Sequence, residues 1–509
     1  MSWADTRDGG RHHGPFGLLR RITGLSWPDL PVPARMRRVA LVAPGDALRD
    51  VLVRVADAAA VELGPPAGDA AAADGAPPDG DAARRLRGSG HPASGAALSA
   101  TRPDLDALEQ ADRYDLLAGE AQLEAYAAGA VRRSGACALA GWMPADRVDA
   151  LATRLAEAGG AVVPLPYPRG AEPPTLLTGR PTRRALSPLV QTYGTVPYAD
   201  IDPTWLAWAS YVLMFGMMFG DVGEGLALVA VAVALRAGWP RWARRFRQAW
   251  LFVAGAGVAA TGFGVLYGEF FGPTGLVPAV WLDPLDRPVT LLVAAAGVGA
   301  LMLACAYALG TVNRWREGGW AAALYAPSGV AGTALYLGAG LIGAGWYLRQ
   351  DVMLGAGALV AVAGLALAAT GFVAGAGGGG AGWTQAVVEL FDLVIRIGSN
   401  VVSFTRLAAF GLTHAALSLL VWEGAQALWR QGGVASVAAV VVFAAGTALA
   451  FGLEALVAAV QALRLEYYEL FSRVFVTQGR PFTPWHVPVE AGAAADPNAK
   501  ELQAWTLPG

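Results

Sequence analysis

The sequence predicts an α-helical polytopic membrane protein of about eight transmembrane helices, the last two long and tilted, behind a small N-terminal cytoplasmic α/β domain. Three observations lead there. The 509 residues are 55% apolar and only 15% charged, with a mean hydropathy of +0.41. The charge is unevenly placed, so that residues 1–200 have the composition of a soluble protein and 204–476 that of a membrane protein. Between them, Pro164 to Pro203 holds nine prolines and few apolar runs, the composition of an extended tether.

Residues 1–35 read as a disordered extension. They contain Arg and His but no apolar core followed by a small-residue cleavage site, so insertion is expected to rely on internal spans. The α/β domain covers 36–165. It opens with a strand at 38–43 and an amphipathic helix at 46–63, with Leu48, Val51, Leu52, Val55 and Val61 spaced for one face. Residues 64–99 are Ala, Gly, Pro and Asp with few large apolar side chains, and are expected as a disordered linker. A helix from Pro103 to Arg133, a strand at Ala138–Gly141, a helix at Ala145–Ala158 and a strand at Ala161–Leu165 complete the domain. The tether then runs over 166–203, the membrane domain over 204–476 and a C-terminal tail over 477–509.

Hydropathy places candidate spans at 204–219, 222–236, 246–267, 289–312, 322–347, 351–374, 383–429 and 434–476. The first two are short and joined by Gly220-Asp221-Val222-Gly223-Glu224-Gly225, which suggests a tilted hairpin. The small residues Gly216, Gly220, Gly223 and Gly225 suit close helix packing. Asp221 and Glu224 read either as lining a water entrance or as cap and loop residues. The last two spans, at ~1.5 Å per residue, make ~65–70 Å of helix each against a hydrocarbon core of ~30 Å, so they must tilt or protrude. Gly375 to Gly380 reads as a hinge with no phosphate-cradling context. The loop after the second span carries Arg236, Arg241, Arg244, Arg245 and Arg247, and that after the fourth carries Arg314 and Arg316. The loop Phe271–Pro288 has only Arg287. The positive-inside rule then puts both termini in the cytoplasm.

Composition also excludes. A net charge of −2 offers no basic excess for nucleic acid. Cys137 and Cys305 fit neither a metal-ligand nor a disulfide spacing. Lys500 is the sole lysine, so no Walker A loop can be built. Any ATP chemistry therefore belongs to a partner, and the chain is expected to hold no catalytic site, cofactor or metal of its own.

Arg406 is the most informative residue. It lies near the middle of the apolar stretch Trp383 to Trp429, where a guanidinium cannot shed its proton and costs at least ~2.5–3.5 kcal/mol. Asp392 and His414 share that stretch, and Glu454 and Arg464 lie on the next. On a helix, Arg406 and His414 are about 80° apart, as are Glu454 and Arg464. Asp392, Glu454 and His414 can exchange protons. Arg406 cannot, but beside a carboxylic acid it stabilises the anion, the behaviour of an electrostatic gate. The plainer readings are interhelical hydrogen bonds for His414 and Asp392, and a structural salt bridge near the interface for Arg464, which is followed by Glu466 and Glu469. Ser399, Asn400 and Ser403 are the polar neighbours of Arg406.

Several stretches resemble the membrane subunit a, subunit I in bacteria, of rotary V-type and archaeal-type ATPases. They are Pro173-Pro174-Thr175 to Tyr193-Gly194, Ile201-Asp202-Pro203-Thr204, Met214-Phe215-Gly216-Met217-Met218-Phe219-Gly220-Asp221-Val222-Gly223, and Leu266-Tyr267-Gly268-Glu269-Phe270-Phe271-Gly272. The strongest are Gly398-Ser399-Asn400 through Ser403, Arg406-Leu407, Ala415 and Leu417, then Glu454 with Leu463-Arg464-Leu465. The resemblance implies that Arg406 is the family's essential arginine and Arg464 its partner. It also implies that Asp392, here Asp where Glu is usual, and Glu454 are half-channel acids, and that His414 is a channel histidine. The implied partners are a rotating proteolipid ring, the soluble head and stalk subunits, and the bilayer. The implied activity is ion translocation coupled to ATP hydrolysis or synthesis elsewhere in the complex. Family members usually carry a long coiled-coil arm for the peripheral stalks. Met36 to Pro203 is too short for one, which suggests a compact bacterial form with simplified stalk attachment. Two other readings of the same residues are a secondary transporter in which Arg406 binds an anionic substrate, and a non-pumping membrane scaffold.

Overall fold

The computed structural model describes residues 33–64, 80–90, 95–167, 172–177, 186, 190, 194–377, 379–475 and 479–490. The expectations for residues 1–32, for much of the linker and tether, and for 491–509 fall outside these. The chain divides into two compact units, one of residues 33–178 with 479–509, the other of 179–478 with the N-terminal extension.

The first unit is built on an antiparallel sheet. Strand β1 (Met36–Pro44) alternates buried and exposed positions as a half-covered strand must. Helix α1 (Leu48–Ala58) follows and buries Leu48, Val51, Leu52 and Val55. It is shorter than expected, because Ala59 turns left-handed (φ 45°) and sends Val61 out of the helix into strand β2 (Glu62–Leu63) and its approach. The stretch expected as a linker carries helix α2 (Asp81–Ser89) and strand β3 (Leu98–Ser99). Its composition is too poor to form a core alone, yet Ala82 is fully buried beside Leu108, Leu116 and Leu117, and Leu98 is fully buried in the sheet core. Helices α3 (Leu105–Gln110) and α4 (Tyr114–Ala128), strands β4 (Val131–Arg133) and β5 (Ala136–Pro144), helix α5 (Val148–Ala156) and strand β6 (Ala161–Pro164) follow. The sheet order is β2-β5-β1-β6, with β4 also pairing β5. Register runs from Met36 opposite Pro144 to Pro44 opposite Ala136.

The segment 479–490, expected as a tail, completes this unit. Strand β7 (Val489–Glu490) pairs in parallel with β3, and Trp485 and Val487 are buried in the same core as Val39, Leu52 and Leu155. The Trp485 ring centroid is 4.8 Å from that of Tyr126, and its indole N–H donates to Gln122 Oε1 at 3.1 Å. Glu62 accepts from the Thr483 amide at 2.9 Å and pairs with Arg480 at 2.7 Å. Composition could not reveal this, because a short segment borrows its core from elsewhere in the chain.

The second unit is helical. Helices α6 (Thr204–Met218) and α7 (Val222–Ala237) follow each other across the expected glycine-rich turn, but both pack mainly against the helix that follows them rather than against each other as a hairpin. An Arg-rich 3₁₀ segment, Arg241–Ala249, leads into α8 (Trp250–Tyr267). Helix α9 (Pro288–Tyr325) bends at Gly319, whose φ of 70° no ordinary helical residue adopts. Helices α10 (Val330–Leu348) and α11 (Asp351–Gly375) pair, then come α12 (Gly379–Ser403), α13 (Thr405–Trp429) and α14 (Val434–Leu465). The last continues through a π turn, Glu466–Phe471, into α15 (Ser472–Val474). Among the described residues, four helical stretches are long and apolar enough to cross a membrane: Arg241–Tyr267, Pro288–Tyr325, Asp351–Gly375 and Val434–Val474. The glycines of α6 and α7 pack closely, as expected, since a Cβ on Gly216 would lie 2.7 Å from Ala259 and one on Gly225 2.5 Å from Thr261. The stretch 383–429, expected as one helix, is broken at Phe404.

Trp485→Ala should remove a buried indole that spans the segment 479–490 and the sheet core, at a cost of about 3–5 kcal/mol. Hydrogen exchange on the full chain should then show β3, β7 and the α1 to β2 junction losing protection together. Unchanged protection in β3 would show that the segment is not part of this core.

Candidate functional site

Arg406 is not mid-helix; it is the second residue of α13. The cause is its neighbour. Phe404 is completely buried, with its ring against Gly299 of α9, where a Cβ would come within 2.1 Å of it. Only glycine leaves room there. The Phe404 amide bonds to Val401 O at 3.2 Å and the Leu407 amide to Phe404 O at 3.0 Å, three-residue spacings that tighten the helix locally. Thr405 Oγ1 donates to the Val402 carbonyl at 2.7 Å, satisfying an acceptor at the break. Phe404 keeps right-handed helical angles (φ −73°, ψ −14°), so the chain continues onward without reversing.

Arg406 faces Glu469 in the π turn, Nη2 to Oε1 3.7 Å. Its Nη1 is buried and has no hydrogen-bond partner among the described residues. Glu469 is also hydrogen-bonded by Ser403 and lies in the field of Arg464. Two guanidiniums and a hydroxyl thus converge on one carboxylate. Three residues earlier, fully buried Glu466 accepts from Ser210 Oγ of α6 at 2.7 Å. The wider π turn lets Glu466 and Glu469 serve different neighbours, a use such turns often have at functional sites.

A second cluster surrounds His414. Its Nδ1 contacts Glu454 Oε2 of α14, and its Nε2 lies 3.7 Å from Glu269 Oε2 in the loop after α8. Asp221, Glu224, Glu269 and His414 are all buried. Asp221 caps α7 by accepting from the Glu224 amide at 2.9 Å, and its other oxygen accepts from the Gly272 amide at 2.8 Å. The Val222 amide donates to the Glu269 carbonyl at 3.0 Å. The turn between α6 and α7 and the loop after α8 are therefore stitched together beside the imidazole. The cap reading of Asp221 holds, and the same residue also borders the acidic cluster. No partner among the described residues takes Glu224 Oε2, Glu269 Oε2, His414 Nε2 or Glu454 Oε1.

Asp392 joins neither cluster. It pairs with Arg396 on its own helix, Nε to Oδ2 2.6 Å, with both side chains more than half exposed. Asn400, one turn on, donates to the Arg396 carbonyl at 3.2 Å and accepts from Arg473 Nη2 at 2.9 Å, with its amide oriented as these neighbours require. Arg473 lies over the Tyr307 ring at 5.6 Å. Ser399 is on an exposed face. Of the residues singled out by sequence, Arg406, Arg464 and Ser403 meet around Glu469, and His414 and Glu454 meet each other.

Asp200, just before α6, is fully buried against Glu317 of α9. Glu317 pairs with Arg314 at 2.5 Å. Burial pushes the Asp200 carboxyl up to about 8, the adjoining Glu317 adds to the rise, and Arg314 and Arg316 oppose it. Sequence reasoning missed Glu269, Glu466, Glu469, Asp200 and Glu317 as site residues. Glu269, Glu466 and Glu469 interrupt apolar text, which was the available sign. The fold that brings them to His414 and Arg406 was not readable from spacing.

Residues 129–272 match the family model described as the V-type ATPase 116 kDa subunit family. The A-type ATP synthase subunit I of Thermococcus kodakarensis is 27% identical over 369 residues, 68% of this chain and 54% of the relative. That of Pyrococcus horikoshii is 24% identical over 397 residues, 73% of this chain and 57% of the relative. The V-type ATP synthase subunit I 2 of Treponema pallidum is 34% identical over 165 residues, 30% of this chain and 35% of the relative. The chain matches these archaeal relatives over about half of their length.

Because Asp200 holds its proton in the folded chain to a higher pH than an unfolded carboxyl does, its contribution to stability is present in acid and lost as pH rises from the ordinary carboxylate range to about 8. Asp200→Asn should therefore flatten the fall in thermal stability between pH 5 and pH 8. An equally steep fall in the variant would place the sensitivity elsewhere.

Proposed function

We propose that this chain, whose residues 129–272 match the V-type ATPase 116 kDa subunit family, is the stator membrane subunit of a rotary V/A-type ATPase. In this reading it supplies two ion half-channels and the arginine that separates them. The observation that carries the reading is Arg406. A permanent charge on an apolar helix is held only by a long contact to Glu469, has a second guanidinium nearby, and keeps a side chain 27% exposed toward whatever adjoins it. An anion brought from outside the chain would meet that exposed part.

The adjoining helix supports this. Within its most apolar window, Val434–Val474 has only 6% of its residues buried, against 17–33% for the other three candidate spans. Such a face needs lipid or a partner, and Arg464 on the same helix is ill suited to lipid alone. A proteolipid ring bearing a carboxylate at each subunit answers both needs. As each carboxyl nears Arg406 it is driven to ionise, releasing its proton to one half-channel, and after passing it reloads from the other. His414, Glu454 and Glu269 form the proton-exchanging group of one path. Glu469 keeps Arg406 and Arg464 from repelling each other. Asp392, at the exposed face with Arg396, would stand at a channel mouth. The soluble head and stalks, with the ATP sites, are partner subunits.

Eight crossings with both ends in the cytoplasm fit the chain's connectivity. The pairing of 479–490 with the first unit supports a chain that leaves and re-enters on one side, with an even number of crossings. Counting α12 and α13 as one crossing keeps the count even, and Phe404 breaks the helix without reversing it.

Arg406→Gln should abolish ATP-driven acidification of inverted membrane vesicles while the complex still assembles, and Arg406→Lys should restore little, because a point charge cannot present two forked donors. Co-purification from native membranes should recover a small apolar ring protein and nucleotide-binding subunits. Retained pumping in Arg406→Gln, or recovery of the chain alone, would overturn the reading.

A further inference from the structure

We propose that the pocket around His414 is a binding site for a divalent transition-metal cation of the Zn²⁺ type, with His414 Nε2, Glu269 and Asp221 as its protein ligands. The proposal concerns binding alone and goes beyond the ion-translocation reading; because the two share His414 and Glu269, an ion bound here would stop proton exchange through them.

The donor set has the right chemistry, one imidazole nitrogen and carboxylate oxygens, and the ligand atoms of these three residues all lie within 4.8 Å of one another. The spacing is informative. His414 Nε2 and Glu269 Oε2 are 3.7 Å apart, too far for a hydrogen bond. Two ligands on one tetrahedral zinc, each bonded at ~2.0–2.2 Å, stand about 3.3–3.5 Å apart, so a small inward shift would seat an ion between them. Both atoms are unpartnered among the described residues, in side chains only 3% and 7% exposed. A polar atom so buried is costly unless something fills the gap.

The surroundings supply what a metal-bound histidine needs. Glu454 contacts Nδ1, and with the ring proton held there Nε2 would be free to bind a cation on the Glu269 side. A carboxylate behind a histidine fixes the ring and raises its basicity as a ligand. Asp221 is held by the Glu224 and Gly272 amides, one on each oxygen, and each oxygen keeps a further lone pair. Phe219, fully buried, walls the imidazole with its ring centroid 5.1 Å away. Glu224, His414 and Glu454 make an alternative trio on the same imidazole. There Glu454 would have to give up its contact with Nδ1, so the Asp221 and Glu269 side is the favoured one.

The test uses the full chain purified in detergent without a histidine tag, stripped of metal, and titrated with Co²⁺ as a spectroscopic substitute for Zn²⁺. The wild type should bind one ion per chain, with a visible ligand-field band of low coordination number that Zn²⁺ displaces. Glu269→Gln and His414→Ala should each lose the band. Glu454→Gln should keep it with affinity weakened about 10–100-fold, as loss of an orienting partner does. Asp392→Asn, at an exposed ion pair, should bind as the wild type. Thermal unfolding of metal-free Glu269→Gln, a substitution that keeps the side chain's shape, reports whether the variant is folded. Absence of the band in the wild type, or its persistence in a folded Glu269→Gln, overturns the proposal.

Discussion

Taking an ionised side chain out of water costs several kcal/mol even after the protein relaxes, and the helical unit places many such groups among apolar helices. Several of them face another polar group. Arg406 has Glu469, Glu466 has Ser210, His414 has Glu454 on one side and Glu269 on the other, and Arg473 has Asn400 and the face of Tyr307. These pairs join elements far apart in sequence, from α6 to the π turn and from the loop after α8 to α14. Helix packing in a bilayer has no hydrophobic drive of its own, so polar contacts of this kind fix which helix faces which.

Two departures from regular helix aim the charges. The break at Phe404 sets Arg406 on a new turn, and the π turn at Glu466–Phe471 separates two acids that a plain helix would keep on neighbouring faces. Both depend on close packing elsewhere. Phe404 can sit where it does because Gly299 has no side chain, and a methyl group there would push the ring, and with it the start of α13, outward. The geometry of the arginine is thus set partly on a helix that carries none of the charges.

Much of this was legible in the sequence, and the remainder for definite reasons. Composition marks the apolar half of the chain, and an arginine with no escape from its charge marks the site. The α1 face, Leu48 to Val55, follows from helical periodicity. The break at Phe404 does not, because Phe is an ordinary helical residue and its cause lies at Gly299, far back in the chain. The place of Trp485 in the first unit is equally hidden, since a segment with no core of its own looks like a tail. Glu269 and Glu469 were in view as acids amid apolar text. Their partners were not, because spacing along one helix says nothing about which loop or turn from another element will meet it. Asp392 shows the converse: its place in an apolar stretch and the resemblance suggested a channel acid, while the structure pairs it with Arg396 one turn on, on an exposed face.

The uncovered flank of α14 limits what the chain can be in isolation. Val437, Val440, Leu449, Leu453, Leu456 and Val460 are all exposed, and lipid could cover these alone. Lipid could not satisfy Arg464 or the exposed part of Arg406, which lie along the same pair of helices. A neighbour that is apolar along most of its length and carries an acid at one depth meets both conditions, and a neighbour lacking either leaves one unmet. On the proposed reading, Glu469 lies in the field of both arginines, so an incoming acid would not have to neutralise both. It would have only to compete with Glu469 for Arg406, and a contact as long as 3.7 Å is one that can be exchanged rather than broken outright. A moving partner would need such an arginine, held near its place by a weak internal counter-ion, for each passing carboxylate to be bound and then released.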